Sequence, residues 1–351
     1  MEYIKFNNFT KEKKLWTNQI IHWYKKNRRD LLWRKLENQD FYSIWISEIM
    51  LQQTNVQTVE KYFVAFKKKW PTFKSFLDAN LNDILKIWQG LGYYQRAKNI
   101  YKTLQILKKK KIKVTYDELI KLPGIGDYSA ASISAILEDQ NNAVVDGNIK
   151  RIFSRVFDID SQSKSFKTQV YHKAKELTPN TGNGHYCQAL MDIGATICKP
   201  RQTNCNICPL TKFCNFFLTK KKILKKKLIK KKKKIGVTFV YKYKNEIYIE
   251  KSEGVFLHGL MKFQTSDFLE YKSSNEQINK KRLLDMKKDF ISKNTNLEFV
   301  EHHFTNFHLK LFVKIIKIEK KFYDPNGLWI FKKDFFNYPF SNLMIKVFKK
   351  I

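Results

Sequence analysis

Four of the five cysteines, Cys198, Cys205, Cys208 and Cys214, follow one another as C-x6-C-x2-C-x5-C. Thiolates this close can ligate one soft centre, either a zinc ion or an iron–sulfur cluster. Pro200, Pro209 and short polar spacers describe a loop wrapped on something rather than a helix or strand. Zinc sites usually bring two C-x2-C pairs and this segment has one, so the chemistry alone leaves both centres open. The start, through Trp16, lacks a charged region followed by an apolar one, so no secretory signal is read and a cytoplasmic location is expected. A disulfide framework does not suit that compartment. Cys187 stands apart and reads as a core residue.

The 351 residues are enough for two or three domains with their own cores. A hydrophobic fraction of 43% excludes a fully disordered chain, and no apolar run of ~18 residues offers a membrane span. Against 32 acidic residues stand 67 basic ones, a formal net charge of +35, which points to a polyanion and first to nucleic acid. Arginine makes up only 8 of those 67, amid many Ile, Asn and Phe, a bias that AT-rich codons would produce whatever the partner. The motifs therefore weigh more than the bulk charge.

From Leu15 to about Phe217 apolar residues recur at helical spacing, as in Val56, Val59, Phe63 and Phe66. Turn signals at Trp70-Pro71, Gly90-Leu91-Gly92, Pro123 to Gly126 and Asp146-Gly147-Asn148 cut this half into helices of ordinary length. Residues 220–234 then read KKKILKKKLIKKKKK, with 11 lysines, a solvated linker that is also suited to tether a DNA backbone. Beyond it Val237 to Tyr241 and Glu246 to Glu250 flank a Lys-Asn turn, and Leu309 to Glu319 alternates again, as strands do. The expected organisation is a helical region over 1–217, a linker over 218–235 and a separate α+β domain over 236–351.

Three further stretches carry chemistry. In Leu122-Pro123-Gly124-Ile125-Gly126, two glycines around one apolar residue permit a tight turn. Its amides, at the start of the next helix, can hold a DNA phosphate, or the stretch is a plain interhelical turn. Asp146 follows Val144-Val145 and precedes Gly147-Asn148-Ile149-Lys150-Arg151, a context that fits a helix N-cap as well as a catalytic carboxylate. Glu48 lies in the otherwise apolar Trp45-Ile46-Ser47-Glu48-Ile49-Met50-Leu51, where burial would raise its pKa toward that of a general acid, unless it lies on a solvated helix face.

The cysteine spacing resembles that of the endonuclease III superfamily of DNA glycosylases. Within it, Ser47 to Thr54 (SEIMLQQT), with Gly90-Leu91-Gly92-Tyr93-Tyr94 downstream, resembles the adenine DNA glycosylases of the MutY family, a likeness running from about Trp23 to Cys214. It implies a mostly α, two-part helix-hairpin-helix glycosylase with an iron–sulfur loop, followed by a separate α+β, Nudix-like C-terminal domain. Cys198, Cys205, Cys208 and Cys214 would hold a [4Fe-4S] cluster. Glu48 would protonate N7 of a flipped-out adenine, and Asp146 would stabilise the oxocarbenium-like sugar. Bifunctional relatives carry a Schiff-base lysine two residues past the hairpin; this chain has Tyr128, so a monofunctional enzyme is implied.

Tyr93 matches the family's intercalating wedge, Gln53 a space-filling residue near the flipped base, and Gly124 and Gly126 the phosphate-binding hairpin. Arg29 and Arg34 match positions near the adenine pocket, although Leu32 replaces a usual proline between them. The C-terminal domain would recognise 8-oxoguanine opposite the adenine; it has no Nudix hydrolase signature, so pyrophosphohydrolysis is not expected. The family's Phe-Ser-His tip appears as Phe304-Thr305-Asn306, in which Thr305 keeps a hydroxyl and Asn306 lacks the imidazole, and a weakened preference for the lesion follows. The implied partner is double-stranded DNA with A:8-oxoguanine or A:G mispairs, met by a monomer at the nucleoid and not at a membrane. The rivals are an endonuclease III-type pyrimidine glycosylase/lyase, which Tyr128 argues against, and a non-catalytic iron–sulfur DNA-binding protein, which the joint presence of Glu48 and Asp146 argues against.

Overall fold

The computed structural model describes residue 4 and residues 9–35, 37, 39–221, 223, 231–253, 259–271, 298–304 and 306–351. The chain divides into two units, residues 1–78 with 102–226, and residues 79–101 with 227–351. This partition departs from the expected boundary at residue 217, because the stretch 79–101 joins the C-terminal unit. Backbone groups account for the difference: Gln89 Nε2 donates to Tyr338 O (3.4 Å), Tyr94 OH to Phe340 O (3.3 Å) and Asn342 Nδ2 to Gly90 O (2.9 Å).

In the first unit, α1 (Phe9–Asn27), α2 (Phe41–Leu51), α3 (Val56–Lys69) and α4 (Phe73–Leu77) precede the crossing to the second. There α5 (Leu81–Ile87) and the start of α6 (Gln95–Lys109) lie, and the chain returns through α7 (Tyr116–Leu119), α8 (Asp127–Glu138), α9 (Gly147–Val156), α10 (Phe166–Leu177), α11 (Asn183–Thr196) and α12 (Asn215–Leu218). Short polar side chains start several of these helices: Asp40 accepts from Ser43 N, Asn55 from Thr58 N and Asn80 from Asp83 N, each satisfying an orphan first-turn amide. The helix α2 is buried from Tyr42 through Met50, so Glu48 sits inside a hydrophobic helix and not on a solvated face. One core joins α1, α8, α9, α10 and α11 around Trp16, Ile20, Phe153, Val170 and Leu190, and three of the clustered cysteines pack against it.

The second unit is α+β. Its strands are β1 (Lys232–Tyr243), β2 (Glu246–Lys251), β3 (Met261–Lys262), β4 (Gln264–Thr265), β5 (Leu269–Glu270), β6 (Phe299–His303), β7 (Phe307–Lys317) and β8 (Gly327–Phe331), and α13 (Asn342–Phe348) ends the chain. Their main path is β3-β2-β1-β7-β6, with β4 and β5 also on β1 and β8 on β2. The central pair is parallel, from Lys232↔Phe307 to Lys242↔Lys317, and the others are antiparallel. Side chains alternate along β1 between two cores, Ile235, Val237 and Phe239 on one face and Val240 on the other. The strand begins inside the lysine run, so the expected linker is shortened: Lys232 pairs with Glu270 at 2.7 Å and Lys234 lies over the Phe307 ring, which lets strand backbone pair while the charges face out. Residues 222 and 224–230 of that run lie outside the described residues. No helix among the described residues is long and apolar enough to cross a membrane.

Candidate active site

Glu48 is 5% exposed, and burial pushes its carboxyl up to about 7. The hydroxyls of Tyr128 and Ser132 and the guanidinium of Arg34 pull it back, and the Asp146 charge pushes it further up. Its Oε2 has no hydrogen-bond partner. A carboxyl with an unspent oxygen, half protonated near neutrality, is equipped to hand a proton to an incoming acceptor. Tyr128, in the first turn of α8, has its phenol held well above its ordinary value by burial and by the charges of Glu48 and Asp146. The structure thus brings Glu48, Tyr128 and Asp146, from three separate elements, into one electrostatic cluster.

Asp146 is the N-cap of α9, so the capping alternative read from its sequence context is realised. Its Oδ1 accepts from Ile149 N at 2.7 Å and its Oδ2 from Asn148 Nδ2 at 2.8 Å. These two bonds fix the carboxylate in place. From Asn148 the bonds continue: Arg151 Nη2 donates to Asn148 Oδ1 (2.7 Å) and Gly194 O (2.8 Å), and Arg151 Nε to Cys198 O (2.8 Å). Gly194 permits this closeness, because a Cβ there would stand 2.5 Å from Asn148 Cβ. The sequence motif marks Arg151 as part of a basic turn, but not that it links Asp146 to the cysteine loop.

Arg29 and Arg34 are both committed to Asp192, a fully buried carboxylate of α11. Arg29 donates to it through N and Nε (3.1 and 2.7 Å), and Arg34 through Nη1 and Nη2 (2.7 and 3.0 Å). Arg34 also lies over the Tyr24 ring, 5.5 Å from its centroid. Arg34 is therefore a locked charge beside Glu48 rather than a free hand for DNA. Sequence reasoning missed Asp192, although a lone acid in the apolar stretch Ala189-Leu190-Met191-Asp192-Ile193 is the same signal that singled out Glu48.

In the hairpin, Gly124 takes a φ of +80°, Ile125 is buried, and Gly126 begins α8 with no side-chain cap. Gln52, another residue passed over in the sequence, ties α2 to this turn by donating to Gly124 O (3.4 Å) and Ser129 Oγ (3.2 Å). Gln53 beside it is exposed and holds a φ of +57°. Tyr93, 45% exposed in the second unit, likewise sits at +48° after Gly92, with Arg96 over its ring at 5.6 Å. Left-handed backbone at a non-glycine residue costs of order 1 kcal/mol. Thr305 lies outside the described residues; Asn306 is exposed between β6 and β7.

Cys198, Cys205, Cys208 and Cys214 line one pocket with Ile193, Ile197, Leu210 and Phe217, and all four thiols are free of disulfides. Arg155 Nη1 donates to Cys198 Sγ at 3.1 Å and caps Lys199 O at 2.9 Å, and Cys198 pairs with Thr203 across the loop. Four soft donors around an apolar pocket, with a cation set against one sulfur, fit an anionic thiolate-bound centre. Among the described residues no group of three or more His, Cys, Asp or Glu is drawn together as for a single ion. Cys187 is buried in α11 and takes no part in the loop.

Residues 46–180 match the family described as HhH-GPD superfamily base excision DNA repair protein. The adenine DNA glycosylase of Buchnera aphidicola subsp. Schizaphis graminum is 39% identical over 242 residues, 66% of this chain and 69% of that protein. The adenine DNA glycosylase of Buchnera aphidicola subsp. Acyrthosiphon pisum is 38% identical over 249 residues, 68% and 71% of the two chains. A thermostable thymine-DNA glycosylase structure superposes with a TM-score of 0.53 at 26% identity, covering 61% of this chain and all of that one. The buried acid, the capped aspartate and the hairpin lie within the matched residues, and the chain belongs to the adenine DNA glycosylase family of base-excision repair enzymes.

Proposed function

We propose that this enzyme hydrolyses the N-glycosidic bond of adenine mispaired with 8-oxoguanine or guanine in duplex DNA, as a monofunctional glycosylase. The observation that carries the chemistry is Glu48, a carboxyl raised to about 7 by burial and set in a cluster with Asp146. A base inside a duplex is out of reach of such a group, so adenine must leave the stack; Tyr93 is proposed as the intercalating wedge and Gln53 as a space-filling residue near the flipped base. Glu48 then donates its proton to N7 as the bond to the sugar breaks and the bonding pair leaves with the base. The Asp146 carboxylate would face the developing cation, and water adds to the sugar to give an abasic site, its released proton returning to the ionised Glu48 carboxylate directly or through solvent. Acid assistance is worth ~10²–10⁴-fold, so fixed charge must supply much of the remainder.

Tyr128 carries the monofunctional reading, because a phenol cannot form an imine with the abasic sugar. Duplexes holding adenine opposite 8-oxoguanine should therefore gain alkali-labile sites while their strands stay intact without alkali. Borohydride should trap no protein on DNA, whereas Tyr128→Lys should introduce some trapping. Trapping of the wild-type chain through a lysine at its rate of turnover is the result that excludes this reading. The endonuclease III-type alternative would leave that adenine in place and release an oxidised pyrimidine from a duplex that carries one.

The resident cofactor proposed for the cysteine loop is a [4Fe-4S] cluster held by Cys198, Cys205, Cys208 and Cys214. It would supply structural cross-linking of the loop, to which Arg151 and through it Asp146 are anchored. Protein purified anaerobically should be brown with about four irons per chain, and Cys187→Ser should keep both colour and iron. One zinc and no iron, in cells given ample iron, is the contrary result. The second unit, α+β and proposed as Nudix-like, is assigned to reading the base opposite the adenine.

A further inference from the structure

Two arginines stand one turn apart on α9, Arg151 and Arg155, and both reach Cys198, the first of the four clustered cysteines. Arg151 holds its backbone, donating from Nε to Cys198 O at 2.8 Å, while Arg155 holds its side chain, donating from Nη1 to Sγ at 3.1 Å. The half-buried Arg155 guanidinium is tied to the loop by two more bonds, Nη1 to Lys199 O (2.9 Å) and Nη2 to Pro200 O (3.2 Å). It also lies over the Phe216 ring, 5.4 Å from its centroid, and the Arg155 carbonyl oxygen is 3.8 Å from Cys214 Sγ. Arg155 thus touches the first and the last of the four donors. Like charges at i and i+4 of a helix repel one another, so two cations aimed at one cysteine are favoured only with negative charge between them.

We infer that Arg155 sets the electron affinity of the cluster through the sulfur of Cys198. The inference rests on the [4Fe-4S] reading proposed above, and it assigns to one side chain a control over the cluster that the four ligands alone do not give. A thiolate that accepts a charge-assisted N–H bond shares less electron density with its iron, and a fixed positive charge beside it favours the state that carries one more electron. The apolar walls of the pocket, Ile193, Ile197, Leu210 and Phe217, screen that charge less than water would. The bonds to Lys199 O and Pro200 O hold the guanidinium against the loop, so the donor stays in place while the charge on the sulfur changes.

The test is a mediated redox titration of the full chain, purified anaerobically with its iron, that follows the visible absorbance of the cluster. Arg155→Met has neither charge nor donor and should move the equilibrium at least about tenfold toward the oxidised state, a lowering of ~59 mV for one electron. Arg155→Gln, a shorter neutral donor, should also lower the potential, and Arg155→Lys, which keeps the charge, should recover most of it. Arg201→Met takes the same charge from an exposed position of the loop and should leave the potential near that of wild type, because solvent and salt screen it. Iron content confines the comparison to loaded chains, and Arg155→Gln carries it where Arg155→Met does not load. Loading of the lysine variant but of neither neutral one shows the same dependence on charge at its limit, whereas failure of all three reduces Arg155 to a clamp on the loop. A potential unchanged in the loaded neutral variants, or lowered as far by Arg201→Met, overturns the role of Arg155 while the cluster stands. Zinc without iron in the wild type overturns the cluster reading and the inference with it.

Discussion

Glu48→Gln is expected to lower single-turnover release of adenine by about 10²- to 10⁴-fold while the affinity for mispaired duplex survives, because the amide keeps the size of the acid but has no proton to give. The wild-type rate should also fall as pH rises through about 7, where the buried acid ionises, and the variant's residual rate should not follow that curve. Stability supplies an independent check. The folded pKa lies above the ordinary 4.5, so between those values the native state binds the extra proton, and its contribution, full below 4.5, is lost as pH rises to 7. Over that window the loss is about 3 kcal/mol at 1.36 kcal/mol per unit. Glu48→Gln should unfold with a flatter pH dependence and gain on the wild type at pH 8, where the latter buries a charge. Wild-type excision by the variant would remove Glu48 from its role, and a parallel pH–stability curve would place it in contact with solvent.

How much of this was legible in the sequence depends on the range of the interactions. Local patterns carried well: the apolar run around Glu48 is a buried helix, Pro123 to Gly126 is a turn that opens α8, and alternation after residue 236 is sheet. Register and long-range pairing were not legible. Nothing near Lys232 announces that its strand will lie parallel to β7, which begins at Phe307, or that residues 79–101 will join the C-terminal unit through backbone acceptors at Tyr338 and Phe340. The arginines show the same limit. Their likeness to pocket residues was readable at Arg29 and Arg34, but their commitment to Asp192 depends on a carboxylate more than 150 residues away, at separations of 163 and 158. For the cysteine loop the donors were plain, whereas its bond to the site through Arg151 required the approach of α9 to α11 at Gly194.

The chemical role proposed for Asp146 can be separated sharply from its structural one, since both would fall to the same two oxygens. Asp146→Ser keeps a good N-cap and removes the charge, so the protein should stay near wild-type stability while excision falls by about 10²- to 10³-fold, the scale of losing one preorganised electrostatic group. Asp146→Ala removes cap and charge together and should add about 1 kcal/mol of destabilisation to the same catalytic loss. Asp146→Asn is more disruptive than its shape suggests. Its oxygen can still accept from Ile149 N, but its amide nitrogen then meets Asn148 Nδ2, donor against donor. Turning Asn148 over relieves that clash only by aiming its amide at Arg151 Nη2, which now donates to Asn148 Oδ1 at 2.7 Å. One bond of the line from Asp146 to Cys198 must therefore break, and the asparagine variant should be less stable than the serine one, with weaker retention of iron. Single-turnover rates, unfolding curves and iron content on the three proteins decide the matter: a serine variant that excises at the wild-type rate would reduce Asp146 to a helix cap.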